Sequence, residues 1–567
     1  MSNSELASIF EDLADMEEME GNSWESLAYR RVAASIAVLS EDVSDIYSRG
    51  KLRSIEGVGE AIEKKIIEYL KTGSISKHVE LKKKYDIDLR SLRNIHGLGP
   101  KRILSLYRNL GIKSLDDLEE AVKNGKIAGL SGFGLKSQES LKKSIEIYRT
   151  TGGNRLLLAD CYENLLSIAE KLRNSGLFEK VEIAGSVRRM RETIGDLDIL
   201  AVTSFPERAV DYFVSMNEVH SVVVRGDTKI TVSLKIGINC DLRIVESSSF
   251  GAALQYFTGS KQHNIALRDR SIEKGMKLNE YGLFLGDRIV SSTTEESVYS
   301  ALGLDWIPPE LRENMGEIAA AESHSLPILV SYDHIKGDLH SHTTYSDGHS
   351  SLEQMANKAS SLGMEYLAIT DHSRSLPVAN GLSPEEFRKR NSEIDKLNDK
   401  FHNFRLLKGV ELEILKDGGL DLPVDSLKEM EWVVAGMHQW ISENPSENTK
   451  RLITSIESGF VDAIAHPTGR IIGRREFYRI DYDKIFQACA DNNVYVEING
   501  FPSRSDLPFD LVKRAKGFRV KFCMGSDAHS TEHLRYLRFA TAIARRGWLS
   551  DQEVLNTKSV ASIIRGR

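Results

Sequence analysis

The segment Asp338-Leu339-His340-Ser341-His342 indicates the fold of the C-terminal part of the chain. A β-strand would project its two histidines from one face, because residues i and i+2 of a strand share a face. Apolar runs of strand length recur downstream, and each ends at a polar tip that an amphipathic helix follows. This alternation predicts a parallel β/α barrel, in which the chemistry lies at the carboxyl ends of the strands.

Residue types that bind metal ions stand at nearly all of these tips. They are His340, His342, Asp347, His372, Glu411, His438, His466, Asp527 and His529. One His-x-His pair is usually incidental, but nine such residues in phase with the strand ends favour a metal centre. The set is too large for one tetrahedral ion and suits about three ions with a bridging carboxylate. Mn2+ or Zn2+ accepts these ligands and lowers the pKa of a bound water enough for attack on a phosphodiester.

A second acidic motif, Asp-Leu-Asp, lies upstream in a region of short β-rich runs. In a strand, Asp196 and Asp198 face the same side, and Asp241 begins another short strand that would lie alongside. Three carboxylates can hold two Mg2+ or Mn2+ ions for in-line displacement at phosphorus. A lone Asp-x-Asp is more often a solvated strand end. The preceding Gly-Ser turn favours catalysis, since Ser186 and Arg189 are placed there to hold a triphosphate.

Together, this acidic motif and the Gly-Ser-x-Arg-Arg turn resemble the nucleotidyltransferase superfold of the family X DNA polymerases. The segment Tyr256-Phe257-Thr258-Gly259-Ser260 matches the signature of that family where it contacts the incoming nucleotide. The residues that the resemblance assigns to the nucleotide site are Ser186, Arg189, Tyr256, Phe257, Gly259, Asn264 and Arg268. It implies that the two aromatic residues lie by the sugar, and that Asn264 and Arg268 face the nascent base pair and template. Lys261 departs from an acidic residue of the vertebrate enzyme, so contacts on the base side are expected to differ.

The N-terminal third repeats the pattern apolar-x-Gly-apolar-Gly three times. Its glycines are Gly57, Gly59, Gly97, Gly99, Gly132 and Gly134. Each copy precedes a helical stretch with basic residues, as in a helix–hairpin–helix unit, whose backbone N–H groups can receive a DNA phosphate without reading a base. A single Gly-x-Gly hairpin is most often a plain turn, but three of them favour binding to the DNA backbone.

The metal-ligand residues of the barrel resemble, in order and spacing, the PHP (polymerase and histidinol phosphatase) domain. The resemblance implies three ion sites. Their ligands would be His340, His342, Glu411 and Asp527 for the first, Glu411, His438 and His466 for the second, and Asp347, His372 and His529 for the third. A family X polymerase followed by a PHP domain is the arrangement of the bacterial and archaeal members, and it accounts for essentially the whole chain.

The expected fold class is therefore multidomain, with α+β and α/β parts. It comprises a helical helix–hairpin–helix region, a core similar to that of polymerase beta, and a distorted β/α barrel. The predicted segments are an N-terminal helical domain with the first hairpin at 1–85, a fingers-like hairpin region at 86–150, a nucleotidyltransferase palm at 151–250, a thumb-like domain at 251–315, a linker at 316–336 and the PHP domain at 337–567.

The resemblance implies short-gap DNA synthesis in base-excision repair and 3′→5′ trimming of DNA ends, with incision at abasic sites as a further family activity. Gapped or primer–template DNA and deoxynucleoside triphosphates would be the substrates. Three alternatives stay open: a histidinol-phosphate phosphatase, an end-processing nuclease with weak or absent polymerase activity, and a non-catalytic scaffold for DNA ends. The hairpins and aspartates argue against the first, the intact aspartates against the second, and the nine metal-ligand residues against the third.

A third activity, 5′-deoxyribose-phosphate lyase, is associated with family positions matched by Ala28-Tyr29-Arg30 and Lys65. A lysine forms a Schiff base when its pKa is lowered. However, Trp24 and Glu25 occupy positions that are basic in lyase-competent relatives, which weakens a 5′-phosphate pocket. The lyase is therefore not predicted.

Composition is that of an ordinary globular protein, with 567 residues, 41% hydrophobic residues and a mean hydropathy of -0.30. The formal net charge is -7, but about five divalent ions would add roughly +10, so DNA is not excluded as a partner. The four cysteines are scattered, the N-terminus is acidic, and no apolar run approaches the roughly 20 residues that span a bilayer. We therefore expect a cytoplasmic protein without membrane association, and a monomer by default.

Overall fold

The structure is a computed structural model that describes residues 3–37, 43–55, 57–93, 95, 98–151, 155–226, 228–472 and 475–564. The chain divides into two compact units, residues 1–154 and residues 155–567. None of the described helices combines the length and the apolar character needed to cross a membrane.

The first unit is helical in the residues that are described. Its helices are α1 (Asn3–Glu20), α2 (Ser23–Ala37), α3 (Val43–Ser48), α4 (Glu60–Thr72), α5 (Ser76–Lys84), α6 (Leu89–Arg93), α7 (Pro100–Leu110), α8 (Leu115–Lys123) and α9 (Leu135–Thr151). Apolar residues recur every three to four positions, as at Leu6, Phe10 and Leu13 of α1, so each helix presents a stripe to the core. These three side chains are almost completely buried.

The second unit begins with a five-stranded mixed sheet, which together with the helices that follow it is called the middle module (residues 155–322). Its sheet has the order β2-β4-β7-β6-β5, with β4 and β7 parallel and the other pairs antiparallel. The elements up to the end of this sheet are β1 (Leu156–Leu157), α10 (Leu158–Asn174), β2 (Lys180–Ile183), α11 (Gly185–Arg188), β3 (Thr193–Ile194), β4 (Asp196–Val202), α12 (Pro206–Val214), β5 (Val219–Arg225), β6 (Lys229–Leu234) and β7 (Asn239–Ile244).

The remainder of the middle module surrounds a small antiparallel sheet of order β10-β9-β8. Its elements are α13 (Phe250–Thr258), α14 (Lys261–Glu273), β8 (Lys277–Asn279), β9 (Gly282–Leu285), β10 (Arg288–Ser291), α15 (Glu295–Ala301) and α16 (Glu317–Glu322). Residues 316–336, expected as a linker, thus begin with a helix. Ala321 of α16 belongs to the same apolar core as Leu267 and Val298, so this part of the segment packs with the middle module.

Residues 337–564 form the barrel, in which seven parallel strands follow one another in sequence order. The strands are β11 (Gly337–Asp338), β12 (Tyr366–Ile369), β13 (Arg405–Glu413), β14 (Trp432–Gly436), β15 (Ala463–Ile464), β16 (Tyr495–Asn499) and β17 (Phe522–Gly525). The helices are α17 (Leu352–Ser361), α18 (Pro384–Asn398), α19 (Val424–Lys428), α20 (Pro445–Ile456), α21 (Tyr482–Asn492), α22 (Phe509–Lys516) and α23 (Leu537–Arg546).

The first and last strands of the barrel approach each other. The Leu339 N–H donates to the Met524 carbonyl at 3.2 Å, and the Asp527 N–H donates to the His340 carbonyl at 3.0 Å. These hydrogen bonds nearly close the sheet and bring the carboxyl ends of all seven strands around one mouth. The predicted fold class, helical hairpins followed by a mixed sheet and a distorted β/α barrel, is confirmed.

Candidate active sites

The three aspartates of the middle module lie together near the amino-terminal ends of two neighbouring interior strands, β4 and β7. Strand β4 begins at Asp196, and β7 runs parallel to it with Asp241 directly opposite Asp198. Residues opposite each other on paired strands share a face, and neighbouring strands are about 4.8 Å apart. The register therefore brings the side chains of Asp198 and Asp241 side by side, with Asp196 on the same face.

Burial and neighbouring carboxylates raise the pKa values of Asp196 and Asp198. Burial and the negative charges of Asp196 and Asp241 raise the pKa of Asp198 to about 7, and burial together with Asp241 raises the pKa of Asp196. The negative charge of Asp241 is partly compensated by two cations, because Lys229 Nζ lies 3.1 Å and Arg243 Nη2 lies 3.5 Å from its Oδ2. Three neighbouring carboxylates that repel one another fit divalent cations, which relieve that repulsion.

The Gly-Ser turn, helix α11, packs directly against the aspartates. Gly185 has φ +61°, and a Cβ at this position would lie 2.3 Å from Asp198 Oδ2. Glycine is required here both for the backbone conformation and for the close approach. The Ser186 hydroxyl oxygen is buried and has no hydrogen-bond partner among the described residues, so it is available to an added ligand.

The two arginines of the turn are held by the helices that follow the sheet. Arg188 makes a bidentate ion pair with Glu295, in which Nη1 and Nη2 each lie 2.8 Å from one carboxylate oxygen. Arg189 donates from Nε to Glu313 at 3.1 Å and from Nη1 to the Thr258 carbonyl. Arg189, predicted to hold the triphosphate, is thus an anchored side chain that makes no hydrogen bond through Nη2 to any described residue.

The nucleotide-site residues of α13 and α14 contact one another. The rings of Tyr256 and Phe257 meet edge to face with centroids 5.2 Å apart, and the Arg243 guanidinium lies 4.3 Å from the Phe257 ring. Asn264 donates to the Tyr256 carbonyl at 2.7 Å and accepts from Gln255 at 2.9 Å. The Asn264 amide is therefore engaged within the protein, whereas the resemblance assigned it to the nascent base pair.

Two further residues of this set lie close by in the chain. Gly259, which follows α13, has φ +68°, and a Cβ there would lie 3.2 Å from Arg189 Nη1. Arg268 lies on α14, one turn beyond Asn264, and is half-buried. Gly259 therefore leaves room for the arginine of the Gly-Ser turn.

In the barrel, the nine predicted metal-ligand residues gather at the carboxyl ends of the strands. Their candidate ligand atoms form three groups, within each of which all atoms lie within 4.8 Å of one another. The groups are His342, Asp347, His372 and His529; His340, His342 and Asp527; and Glu411, His438 and His466. Residues separated by up to 189 positions in the sequence, His340 to His529, thus meet at one site.

Glu411, at the centre of the cluster, faces histidines with both carboxylate oxygens. Its Oε1 lies 2.9 Å from His466 Nε2 and 3.2 Å from His438 Nε2, and its Oε2 lies 3.2 Å from His340 Nε2 and 3.1 Å from His372 Nδ1. Burial favours the neutral carboxyl, but the surrounding histidines outweigh it and hold the pKa of Glu411 well below its usual value. One carboxylate that faces several imidazoles has the arrangement of a bridging ligand.

Two ring nitrogens of the cluster lack hydrogen-bond partners in the part of the chain that the structure describes. They are Nδ1 of His342 and Nδ1 of His466, and both are buried. A buried polar atom without a partner is costly, and the neutral imidazole nitrogen is a common metal ligand. The unpartnered nitrogens, together with the surrounding carboxylates, fit divalent cations.

Sequence reasoning missed two carboxylates that orient the ligands. Glu413 lies 2.7 Å from His438 Nδ1, and Glu497 lies 2.6 Å from His340 Nδ1, and both glutamates are buried. Such partners fix the ring orientation and leave the other nitrogen of each histidine for the metal. The available signal was the alternation Glu411-Leu412-Glu413, since two glutamates on one face of a buried strand are unusual.

A third missed residue is Arg504, in the loop after β16. It lines the cavity of about 630 Å³ formed by Glu411, Asp527 and other cluster residues. Its Nε lies 3.2 Å from Asp527 Oδ2, and its buried Nη1 has no hydrogen-bond partner among the described residues. Arg470 holds the loop by donating from Nε to the Arg504 carbonyl at 2.7 Å. No local sequence pattern marks this arginine.

The backbone is also adapted to the cluster. His466 and Asp527 have positive φ values of 28° and 55°, which is uncommon for residues other than glycine. Strain of this kind costs about 1–3 kcal/mol per residue and persists where the surrounding structure enforces it, often at active sites. At Gly436, a Cβ would lie 2.9 Å from His438 Cε1, so glycine makes room for the ligands.

In the N-terminal unit, the predicted hairpin glycines precede helices. Gly59 and Gly99 are the N-cap residues of α4 and α7, and Gly57 and Gly132 both have φ +83°. The other two predicted glycines are Gly134, immediately before α9, and Gly97, which lies outside the described residues. The binding of DNA phosphates at these helix starts stays a prediction.

Lys65, the lysine considered for a lyase, lines a cavity together with Lys77, which is paired with acidic residues. Lys65 Nζ is 5.8 Å from the centre of the Tyr29 ring, and Lys77 pairs with both Glu17 and Glu25 at 2.6 Å. The carboxylates paired with Lys77 reduce the positive charge that a 5′-phosphate would meet there.

Comparisons with known families match separate parts of the chain. The family model of the DNA polymerase beta thumb matches residues 253–313, and that of the PHP domain matches residues 338–500. A helix-hairpin-helix domain matches residues 1–75, and a SAM-like helix-hairpin-helix tandem matches residues 89–146.

Comparison with curated proteins finds a relative that spans nearly the whole chain. It is the DNA polymerase/3′-5′ exonuclease PolX of Bacillus subtilis, 36% identical over 574 residues, which cover 99% of each chain. A probable phosphatase of Thermoanaerobacter sp. is 32% identical over 232 residues, and one of Aliivibrio fischeri is 31% identical over 234 residues. Each of these two matches covers 39% of this chain and 89% of the phosphatase.

Proposed function

This chain belongs to the PolX family of DNA polymerase/3′-5′ exonucleases, and we propose that its two activities reside in the two clusters described above. The chain is a DNA polymerase and a 3′-5′ exodeoxyribonuclease, and a role in DNA repair is typical of family X. The observation that carries the proposal is the presence of two separate metal-type clusters, the aspartates of β4 and β7 and the histidine-rich cluster of the barrel.

In the polymerase site, Asp196, Asp198 and Asp241 would hold two Mg2+ or Mn2+ ions. Such ions, when bound, neutralise the charge that develops on the transferring phosphoryl group. The Ser186 hydroxyl and Arg189 would bind the triphosphate, because one is buried without a partner and the other keeps Nη2 uncommitted among the described residues. The direct opposition of Asp198 and Asp241 in the sheet supports this assignment.

The aromatic residues of α13 would bind the sugar of the incoming nucleotide. Phe257 is held by Arg243, which also approaches Asp241, so the sugar site and the aspartates are joined by one side chain. Gly259 allows the approach of Arg189, and Arg268 would reach the template.

In the exonuclease site, the nine clustered residues would hold about three divalent ions, Mn2+ or Zn2+. Ions bound there supply positive charge for the scissile phosphate and lower the pKa of a bound water. Arg504 would donate from its uncommitted Nη1 to a non-bridging phosphate oxygen, since arginine forms strong charge-assisted hydrogen bonds to phosphate. Leu376 and Pro377 line the same cavity and offer an apolar wall to the terminal nucleoside.

The hairpins of the N-terminal unit would bind the backbone of gapped or primer–template DNA, with deoxynucleoside triphosphates as the second substrate. Backbone N–H groups at the starts of α4, α7 and α9 supply such contacts without reading sequence. The filling of short gaps, a cytoplasmic location and a monomeric state are also proposed, from the resemblance and the composition.

A primer-extension assay on a labelled primer–template tests the proposal, with Mg2+ or Mn2+ and with or without nucleotides. We expect lengthening when nucleotides are present and, with Mn2+, shortening when they are absent. Shortening alone would indicate an end-processing nuclease. Binding with neither reaction would indicate a scaffold for DNA ends. A phosphomonoesterase assay on histidinol phosphate tests the remaining alternative, a histidinol-phosphate phosphatase.

A further inference from the structure

Helix α23 of the barrel packs into the core of the middle module. Tyr536, which caps the helix, and Phe539 and Ala542 within it belong to the same apolar cluster as residues of α10, β4 and β7. The interface between the two modules is therefore part of one folded core. Helix α23 therefore places the side chains at its C-terminal end against the middle module.

Arg546, the last residue of α23, is completely buried and reaches the Gly-Ser turn. Its Nη1 donates to the Arg189 carbonyl at 2.7 Å and to Glu313 Oε1 at 3.2 Å. The Phe509 ring lies 4.1 Å from its guanidinium. A cation at the C-terminal end of a short helix stabilises the carbonyls that the helix leaves unpaired. Arg546 therefore supports the end of α11, which Arg189 caps.

The same glutamate links Arg546 to the guanidinium of Arg189. Oε1 of Glu313 accepts from both Arg546 Nη1 and Arg189 Nε, and Oε2 lies 3.5 Å from Arg191 Nη1. Burial favours a neutral Glu313, but the arginines Arg546, Arg189 and Arg191 outweigh it and lower the pKa of this carboxyl. Glu313 is thus a fixed anion, shared between the barrel and the triphosphate-binding turn.

We propose that Arg546, although it belongs to the barrel, is a positioning residue of the polymerase site. Together with Glu313 it fixes both the backbone and the side chain of Arg189, so that Nη2 of Arg189 is presented to the triphosphate. The inference rests on the proposed role of Arg189. It adds that the barrel contributes to nucleotide binding in the polymerase site, besides containing the exonuclease site.

The neighbouring Arg545 provides a matched control on the same helix. It also joins the barrel to the rest of the unit, because its Nε donates to Glu310 at 2.8 Å and its Nη1 donates to the Val330 carbonyl at 2.8 Å. It makes no hydrogen bond or ion pair with Arg189 or Glu313. Arg545→Met therefore breaks an ion pair of the same kind without touching the Gly-Ser turn.

The test measures the steady-state KM for deoxynucleoside triphosphate and kcat for primer extension in the full chain. Arg546→Met should lower kcat/KM by about 10- to 100-fold, mainly through a higher KM, because displacement of a binding group by about 1 Å can cost 100-fold. Arg546→Lys should restore part of the loss, since it keeps the charge. Arg545→Met should leave the KM unchanged, and trimming without nucleotides should continue in all three variants.

A double-mutant cycle with Arg189→Met separates this inference from the role on which it rests. If Arg546 acts through Arg189, Arg546→Met should add little to the effect of Arg189→Met. An unchanged KM in Arg189→Met would overturn the proposed role of Arg189. A raised KM in Arg189→Met with an unchanged KM in Arg546→Met, or fully additive effects, would overturn the inference alone. Should Arg546→Met fail to fold, Arg546→Lys and Glu313→Gln provide the same comparison.

Discussion

The carboxylate cluster of the middle module and the histidine-rich cluster of the barrel are built differently. The first consists of three aspartates on two interior strands, and Asp198 has a pKa raised to about 7 because burial and its acidic neighbours disfavour its charged form. In the second, the buried glutamates Glu497 and Glu413 contact Nδ1 of the predicted ligands His340 and His438. The carboxylates of the first cluster therefore repel one another, whereas histidines of the second cluster are oriented by glutamates of the protein itself.

The difference follows from the ligand types. Carboxylates suit Mg2+, which keeps several waters and is often bound together with substrate phosphates, so its site is completed by the nucleotide. Imidazoles suit Mn2+ or Zn2+ and need fixed ring orientations, which carboxylate partners supply. We infer that a site which must admit and release a triphosphate in each cycle can remain incomplete, while a hydrolytic site benefits from permanent order.

Removal of divalent metal should have the largest effect and should distinguish the two sites. Dialysis against a chelator is expected to abolish both extension and trimming. Adding Mg2+ alone should restore extension, while trimming should require Mn2+ or Zn2+, because the barrel cluster is rich in imidazole. Rates of both reactions with each added metal provide the measurement. Full recovery of trimming with Mg2+ alone would contradict the proposed difference in metal preference.

Asp198→Asn should reduce primer extension by about a thousandfold or more, since it removes charge from the centre of the carboxylate cluster. Trimming by the same protein should be unchanged and serves as the internal control for folding. The measurement is the rate of primer lengthening and, without nucleotides, of shortening. Loss of trimming in a folded Asp198→Asn protein would refute the separation of the two sites.

Glu411→Gln should show the opposite pattern, with trimming reduced by about a thousandfold and extension retained. Glu411 faces His340, His372, His438 and His466, so the variant should also bind less metal. Elemental analysis of the purified protein measures the metal content. An unchanged metal content would count against the bridging role.

Arg504→Met should reduce trimming by about 100-fold, because it removes the cation that is proposed to bind the scissile phosphate in the cavity. Metal content and extension should stay at the level of the parent protein. Arg479→Met is the matched control, since Arg479 is an exposed arginine of the same module. If the Arg504 variant instead lost bound metal, the arginine would serve the ligand Asp527 and not the substrate.

Glu413→Gln should have the smallest effect, a loss of about 10- to 100-fold in metal affinity or trimming. The side-chain amide that replaces the Glu413 carboxylate can still form a hydrogen bond with His438, but it no longer provides the negative charge that increases the basicity of the imidazole. Titration of the metal-free protein with Mn2+, followed by trimming activity, measures the change. Glu353→Gln, at an exposed position paired with Lys400, is the control and should behave like the parent protein.

The sequence by itself determined the fold class and the candidate ligands. Alternation of apolar runs with polar tips predicted the barrel, and the spacing of Asp196 and Asp198 predicted a shared face, because strand geometry has a fixed period of two. The type of a residue and its position relative to the end of a strand follow from the local pattern of the sequence, so they can be read without the tertiary structure.

Only the tertiary structure decided which distant groups meet. Arg504 and Arg546 stand in segments without a distinctive pattern, and their importance comes from the atoms packed around them, Asp527 in one case and Glu313 in the other. The engagement of Asn264 by Tyr256 and Gln255 likewise depends on how α13 and α14 pack. Burial, charge compensation and hydrogen bonding between segments far apart in sequence depend on distances in space, which no local period encodes.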